Sequence, residues 1–284
     1  MKTLSVITPS YRGAKWLPLC IASVADQKQV AIEHIVQDAN SDDETSAVLL
    51  KHPHVLAYIE PDRGMYDAIN KGIRKSRGDI ISYLNCDEQY LPGALLTVLQ
   101  YFESNPSVDI LFCGFVVTNS DGGYICSRHV LRPLAAHTRI CHLSPFSCGM
   151  FFRRQVVEKH GLFFNDNYRD LGDADWVLGA IRKKLNMQSM RKMTSAFTET
   201  GSNMNLAANA LRERERIFRS ASVWEQQMTP LIAFHHRLRR LVRGVYFQKP
   251  FAYSIYTLQS PLKRVEFRVD RPTSLWRDRF TLWR

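Results

Sequence analysis

Short apolar runs alternate with helical apolar spacings along the first two hundred residues. Residues 3–8 carry a strand-like run, Leu4-Ser5-Val6-Ile7, closed by Pro9-Ser10-Tyr11. From Trp16 to about residue 25, Leu17, Cys20, Ile21 and Val24 fall at helical spacing, with Pro18 near the start, where proline is tolerated. Strands are predicted at 32–36 and 55–59. Helices are predicted over 43–51 and from Met65 to about residue 76, where Gly78 stops the pattern. Ile80, Ile81, Tyr83 and Leu84 then make a buried strand that runs straight into Asn85-Cys86-Asp87-Glu88. A helix over 91–102 packs on the sheet through Leu95, Leu99 and Phe102. Residues 109–118 and 124–130 read as a hairpin around Asp121-Gly122-Gly123. Residues 131–147 look irregular. The pattern then predicts a short strand over 149–152, a helix over 153–160, a loop over 163–171, a helix over 173–184 and a final strand over 187–198. Alternating strands and helices predict an α/β fold with a mostly parallel sheet.

Beyond residue 204 the character changes. Two helical stretches, 205–220 and 223–247, are rich in arginine. In the second, Leu231, Phe234, Leu238, Leu241 and Val245 repeat at three-four spacing, with Arg237, Arg239, Arg240 and Arg243 among them. That is a basic amphipathic helix, suited to a membrane interface. The tail, 248–284, is basic and aromatic with no clear period. The division expected is a domain over 1–204 and a basic, helical extension over 205–284.

Charge sharpens this division. The net charge is +11, yet residues 1–200 hold 22 Lys+Arg against 21 Asp+Glu, while residues 201–284 hold 16 against 6. The extension therefore calls for an anionic partner, lipid head groups or nucleic acid. The interleaved apolar stripe and the lack of a recognition motif favour lipid, and no nucleic-acid partner is expected. No run of about 18 apolar residues predicts a membrane span. The first residues lead directly into a strand, without signal-peptide architecture. The six cysteines show no C-x-x-C pair, which fits reduced thiols in the cytoplasm.

Polar or acidic loops follow Ile7, Val36 and Leu84, at the ends of three of the first four strands. In a parallel sheet these loops share one edge, where ligands bind in open α/β folds. Hard oxygen ligands at such an edge suit Mg²⁺ or Mn²⁺ with a phosphate substrate. Asp87 and Glu88 could alternatively cap the next helix. No G-x-G-x-x-G and no phosphate-binding glycine loop is present, which argues against kinase or dinucleotide chemistry.

Four segments in this order resemble the inverting nucleotide-sugar glycosyltransferases of family 2, with the GT-A fold, in their bacterial surface-polysaccharide branch. They are Ser5-Val6-Ile7-Thr8-Pro9-Ser10-Tyr11, Val36-Gln37-Asp38-Ala39-Asn40-Ser41-Asp42-Asp43-Glu44-Thr45, Glu60-Pro61-Asp62-Arg63-Gly64-Met65-Tyr66-Asp67-Ala68-Ile69-Asn70-Lys71-Gly72, and Leu84-Asn85-Cys86-Asp87-Glu88-Gln89-Tyr90-Leu91-Pro92-Gly93-Ala94. The third is the most specific. The resemblance covers roughly residues 3–200. It implies a nucleotide bound by Pro9, Tyr11, Asp38, Arg63 and Asn85: Tyr11 stacks on the base, Asp38 accepts an imide hydrogen, and Arg63 reaches the phosphates. As plain loop residues these would be a turn aromatic, a turn-stabilising acid and a solvated charge. It also implies a divalent metal at Asp87, with Glu88 beside it. Asn85 stands at the first position of the D-x-D motif, as in close relatives.

Inverting transfer is one in-line displacement, and the attacking hydroxyl must lose its proton to a base. Gly172-Asp173-Ala174-Asp175-Trp176 looks like the family's base-bearing helix start, which implies Asp173 as base with Asp175 as the fallback. A helix-capping role for Asp173 is compatible with this. The resulting expectation is a transferase moving sugar from a nucleotide-diphosphate donor, UDP first among them, to a lipid-linked or growing glycan. It would sit peripherally on the cytoplasmic face of the inner membrane. The alternatives are a catalytically silent sugar-nucleotide-binding scaffold, suggested by Asn85, and a nucleic-acid-binding protein using the basic tail.

Overall fold

The computed structural model describes residues 2–141, 145–201 and 208–276. In chain order the elements are β1 (Thr3–Ser10), α1 (Leu17–Ala25), β2 (Ala31–Asp38), α2 (Thr45–Leu50), β3 (Leu56–Ile59), α3 (Met65–Lys75), β4 (Ile80–Tyr83), β5 (Glu88–Tyr90), α4 (Ala94–Ser104), β6 (Ile110–Asn119), β7 (Tyr124–Arg128) and α5 (Ala135–Ile140). A 3₁₀ turn (Ser147–Gly149) leads into β8 (Met150–Arg153), α6 (Gln155–Glu158), α7 (Gly172–Arg182) and β9 (Met187–Glu199). The C-terminal part holds α8 (Ala208–Arg219), α9 (Val223–Gln227), α10 (Thr229–Val242), β10 (Phe251–Thr257) and β11 (Ser260–Val269).

Nine strands form one sheet in the order β3-β2-β1-β4-β8-β6-β9-β5, with β7 paired to β6. β1 pairs in parallel with both β2 and β4, and β2 with β3, which puts the ends of β1, β2 and β4 on one edge as the apolar pattern predicts. The sheet is curled. β4 and β5 stand four positions apart, about 19 Å across a flat sheet. Only Leu84–Asp87 join them, and that link is closed into a turn by Glu88 N–H to Asn85 O at 3.0 Å. β5 therefore folds back over the sheet, where the Tyr90 hydroxyl meets Ser82 Oγ at 3.0 Å.

Large aromatics fill the core beneath this edge: Tyr66, Tyr83, Phe151, Phe152 and Trp176 are fully buried. Phe164 stacks on Trp176 with centroids 5.2 Å apart and on Tyr66 at 5.7 Å. α3 lies tightly on β1, since a Cβ at Gly72 would come within 2.4 Å of Ile7.

Three expectations are corrected. Residues 131–147 are not wholly irregular, because α5 lies within them. The helix expected over 223–247 is two, α9 and α10, and α9 opens with a capping box between Ser222 and Glu225. The tail is not aperiodic: β10 and β11 form an antiparallel hairpin. Tyr253, Ile255 and Val269 of the hairpin pack on Leu91, Val116 and Ala196. The Gln89 side chain bonds both the N–H and the C=O of Tyr256, and Arg264 forks onto Asp26 at 2.5 and 2.8 Å. Trp276 is buried against Phe146 and Phe197. The tail aromatics Phe280 and Trp283 lie outside the described residues.

Candidate active site

A cleft of about 670 Å³ opens at the strand ends. Pro9, Ser10 and Tyr11 reach it from the end of β1, and Ala39 from the end of β2. Tyr11 is exposed, with the Arg12 guanidinium 5.3 Å from its ring and Arg12 itself paired to Asp42 at 2.7 Å. Asp38 does not line the cleft. It is fully buried, and its carboxylate accepts the Ser41 N–H at 2.8 Å and the Ser41 hydroxyl at 2.7 Å.

Asn85, Cys86 and Asp87 line the cleft from the turn after β4. Glu88, expected at the metal, is turned away: it is fully buried and braces the turn, accepting Asn85 N–H at 2.9 Å and Ser147 Oγ–H at 2.8 Å. Burial, with the nearby charge of Asp87, pushes its acid up to about 8. Burial also lifts Asp87 to about 6. Asn85 Oδ1 is buried without a hydrogen-bond partner. A desolvated carboxylate and an orphaned carbonyl oxygen two residues apart are a donor pair that a hard cation suits. Among the described residues no three His, Cys, Asp or Glu side chains converge as ligands.

The opposite wall comes from the β3–α3 loop and the start of α7. Arg63, expected at the phosphates, points elsewhere and pairs with Asp67 and Asp166. Arg169 lines the cleft in its place. Its guanidinium rests on Gly64, where an added Cβ would come within 2.3 Å. Gly64 has φ +127°, a backbone conformation that favours glycine. Arg169 is the single cation among the described lining residues, against Asp62, Asp87, Asp170 and Asp173.

Asp173 lies in the first turn of α7 and faces the cleft. Burial raises its acid to about 7, and the charge of Glu213 adds to this. Its backbone N–H donates to the Tyr66 hydroxyl at 3.2 Å. Gly172 lets that phenol approach, since a Cβ there would meet the ring at 2.6 Å. Asn70, one turn on from Tyr66, bonds both the N–H and the C=O of Phe164. Tyr66 and Asn70 of the most specific motif thus hold the segment that carries Asp173. Asp175 does not line the cleft. Trp176 is core, with its indole N–H on Leu162 O at 3.2 Å. Phe146 and Ser147 also line the cleft, whereas Met150, Phe151, Phe152 and Tyr168 are buried outside it. Tyr66 stands in the most specific motif, but its contact with the start of α7 carries no signal in the sequence spacing, and neither do Arg169 and Glu213.

The sequence model of glycosyl transferase family 2 matches residues 5–161, more than half of the chain. The chain belongs to this family. A PGL/p-HBAD biosynthesis glycosyltransferase of Mycobacterium bovis is 26% identical over 204 residues, covering 69% of this chain and 77% of the relative. An uncharacterized protein of Mycobacterium tuberculosis is 29% identical over 244 residues, covering 75% and 74%. Among solved structures, Staphylococcus aureus TarS in complex with UDP-GlcNAc superposes with a TM-score of 0.62 at 16% identity, covering 84% of this chain and 73% of that one. A mannosyltransferase of Pyrobaculum calidifontis in complex with GDP-Man and Mn²⁺ superposes with a TM-score of 0.55 at 16% identity, covering 87% and 81%. These likenesses establish the GT-A-like fold. As a family 2 glycosyltransferase, the chain transfers a glycosyl group, and Asp173 lies just beyond the matched residues.

Proposed function

We propose that the protein is an inverting glycosyltransferase that moves a sugar from a UDP-sugar to a lipid-linked or growing glycan in bacterial surface polysaccharide synthesis. One observation carries this reading: Asp173, a carboxylate raised to about 7, shares a cleft with Asp87 and Tyr11. A carboxylate of that basicity at neutral pH suits proton abstraction from an acceptor hydroxyl. The hydroxyl oxygen attacks the anomeric carbon from one face as its proton passes to Asp173. The bond to the diphosphate oxygen breaks on the other face, so configuration inverts. A bound Mg²⁺ or Mn²⁺ would neutralise the leaving diphosphate, with Asp87 and Asn85 as its holders. Arg169 takes the part expected of Arg63 and meets the same charge from the opposite wall. Tyr11 supports the base by stacking.

The occupied carboxylate of Asp38 favours a second reading for the base alone. Stacking on Tyr11 discriminates poorly, so a GDP- or dTDP-sugar fits the same cleft. The exposed apolar face and arginines of α10 support attachment to the cytoplasmic face of the inner membrane, where a lipid-linked acceptor resides.

The test is turnover with and without Mn²⁺ in Asp87→Ala and Asp173→Asn, together with donor binding by thermal shift. Asp173→Asn should lose about 10³-fold or more in kcat and keep donor binding. Asp87→Ala should lose both turnover and the metal-dependent part of binding. Full turnover in Asp173→Asn would remove the base from this assignment. Donor binding in wild type without any turnover would favour the silent scaffold.

A further inference from the structure

The arginine-rich helix α8 reaches the loop that leads into α7. Glu213 of α8 is buried, and its one carboxylate accepts three successive backbone N–H groups: Arg169 at 2.6 Å, Asp170 at 2.9 Å and Leu171 at 2.8 Å. Asn209, one turn earlier, donates to Asp170 Oδ2 at 2.8 Å and to Glu213 Oε1 at 2.9 Å. Arg216, nearly one turn later, holds its guanidinium 5.4 Å from the ring of Tyr168. Positions 209, 213 and 216 are spaced i, i+4, i+7, which is one face of a helix. That whole face is spent on residues 168–171.

Backbone N–H groups just before a helix need acceptors, and a carboxylate there is favoured by the helix dipole. Leu171 is the N-cap of α7, and Asp173 follows two residues later. The loop so held also carries Arg169, the cation of the cleft. The carboxylate fixes the course of the backbone whatever side chains the loop bears, and so fixes where Arg169 and Asp173 project.

We infer that α8 clamps the catalytic loop and that Glu213 is a positioning residue for Asp173 and Arg169, so that the C-terminal extension completes the active site as well as serving its surface. The inference rests on the role proposed above for Asp173.

Glu213→Gln tests it in the full chain, since it keeps the size and removes one acceptor oxygen and the charge. Amide hydrogen exchange at residues 169–171 should quicken by about tenfold or more. The kcat should fall about 10- to 100-fold, and the donor KM should rise by much less through the loosened Arg169, as for a displaced base with a weakened binding contact beside it. Because the charge of Glu213 helps keep the acid of Asp173 raised, the acid limb of the rate profile should move to lower pH. Asn209→Ala, a milder change, should shift exchange and kcat in the same direction by less, which guards against simple misfolding of the first variant. Unchanged exchange at 169–171 in both variants would overturn the inference, as would a loss of kcat matched by an equal loss of donor affinity. Exchange is read without substrate, so it judges the clamp even if wild-type protein shows no glycosyl transfer.

Discussion

Asp173 owes its basicity to placement. It is enclosed by the Tyr66 phenol and the Tyr83 ring, with Glu213 behind the loop, and burial outweighs the bonds it accepts. The unprotonated carboxylate is the competent form, and its acid lies near 7. The rate kcat/KM should therefore be level above that value and fall about tenfold per pH unit below it. A profile flat down to pH 5 would separate Asp173 from the proton transfer. Which residues met at the cleft was partly legible from the sequence. Pro9, Tyr11, Asn85 and Asp87 stand at fixed offsets from strand ends, and strand ends on one edge converge by topology. What could not be read was direction. Asp38 and Glu88 sit beside cleft residues yet turn to their own loops, because nearby N–H and hydroxyl donors satisfy a buried carboxylate better than an open cleft does. Arg169 and Tyr66 join the site through contacts a hundred residues apart, and no local spacing encodes those.

At the level of elements, the strands and helices of the first 200 residues follow the apolar pattern, apart from the three-residue β5 and the short α5, which are too brief to show a period. The hairpin β10–β11 escaped it for a physical reason. Phe251, Tyr253 and Ile255 do alternate with small or polar residues, the period of a half-buried strand. Its turn, however, lacks the Asn-Gly or Gly-rich signal that announces a hairpin. The hairpin is tied to α1 and β5 by Arg264, which forks onto Asp26 and also donates to Tyr90 O at 3.0 Å. Arg264→Met removes the cation from Asp26 and leaves it the Tyr256 hydroxyl at 2.8 Å. Hydrogen bonds to charged groups contribute about 1.5–3 kcal/mol, and Asp26 is partly solvated, so a loss of about 1–2 kcal/mol is expected in urea unfolding. Stability equal to wild type would mean that apolar packing alone docks the hairpin.

Across the whole molecule, the predicted basic helix has its apolar stripe on the outside. In α10, Leu231 is 57% and Phe234 63% exposed, with Leu238 and Leu241 continuing the row, while Val245 is buried. No helix among the described residues is long and apolar enough to cross a membrane. Each nearby Lys or Arg adds about 1 kcal/mol toward an anionic surface, so a stripe flanked by arginines suffices for reversible attachment. The double variant Leu231→Asp, Phe234→Asp should abolish co-sedimentation with vesicles containing phosphatidylglycerol and leave the melting temperature unchanged. Equal sedimentation would refute the attachment, and salt-sensitive binding to DNA instead would favour the nucleic-acid reading. The curl of the sheet bears on how such a chain is made. β5, which closes the Asn85–Asp87 turn, is secured by Gln89 to Tyr256, 167 residues later. At synthesis rates of about 5–20 residues per second, that partner leaves the ribosome roughly 10–30 s after β5 does. Until then the nascent protein holds β5 by its pairing with β9 and by the Tyr90–Ser82 bond, without the hairpin packed behind the strand that frames the cleft.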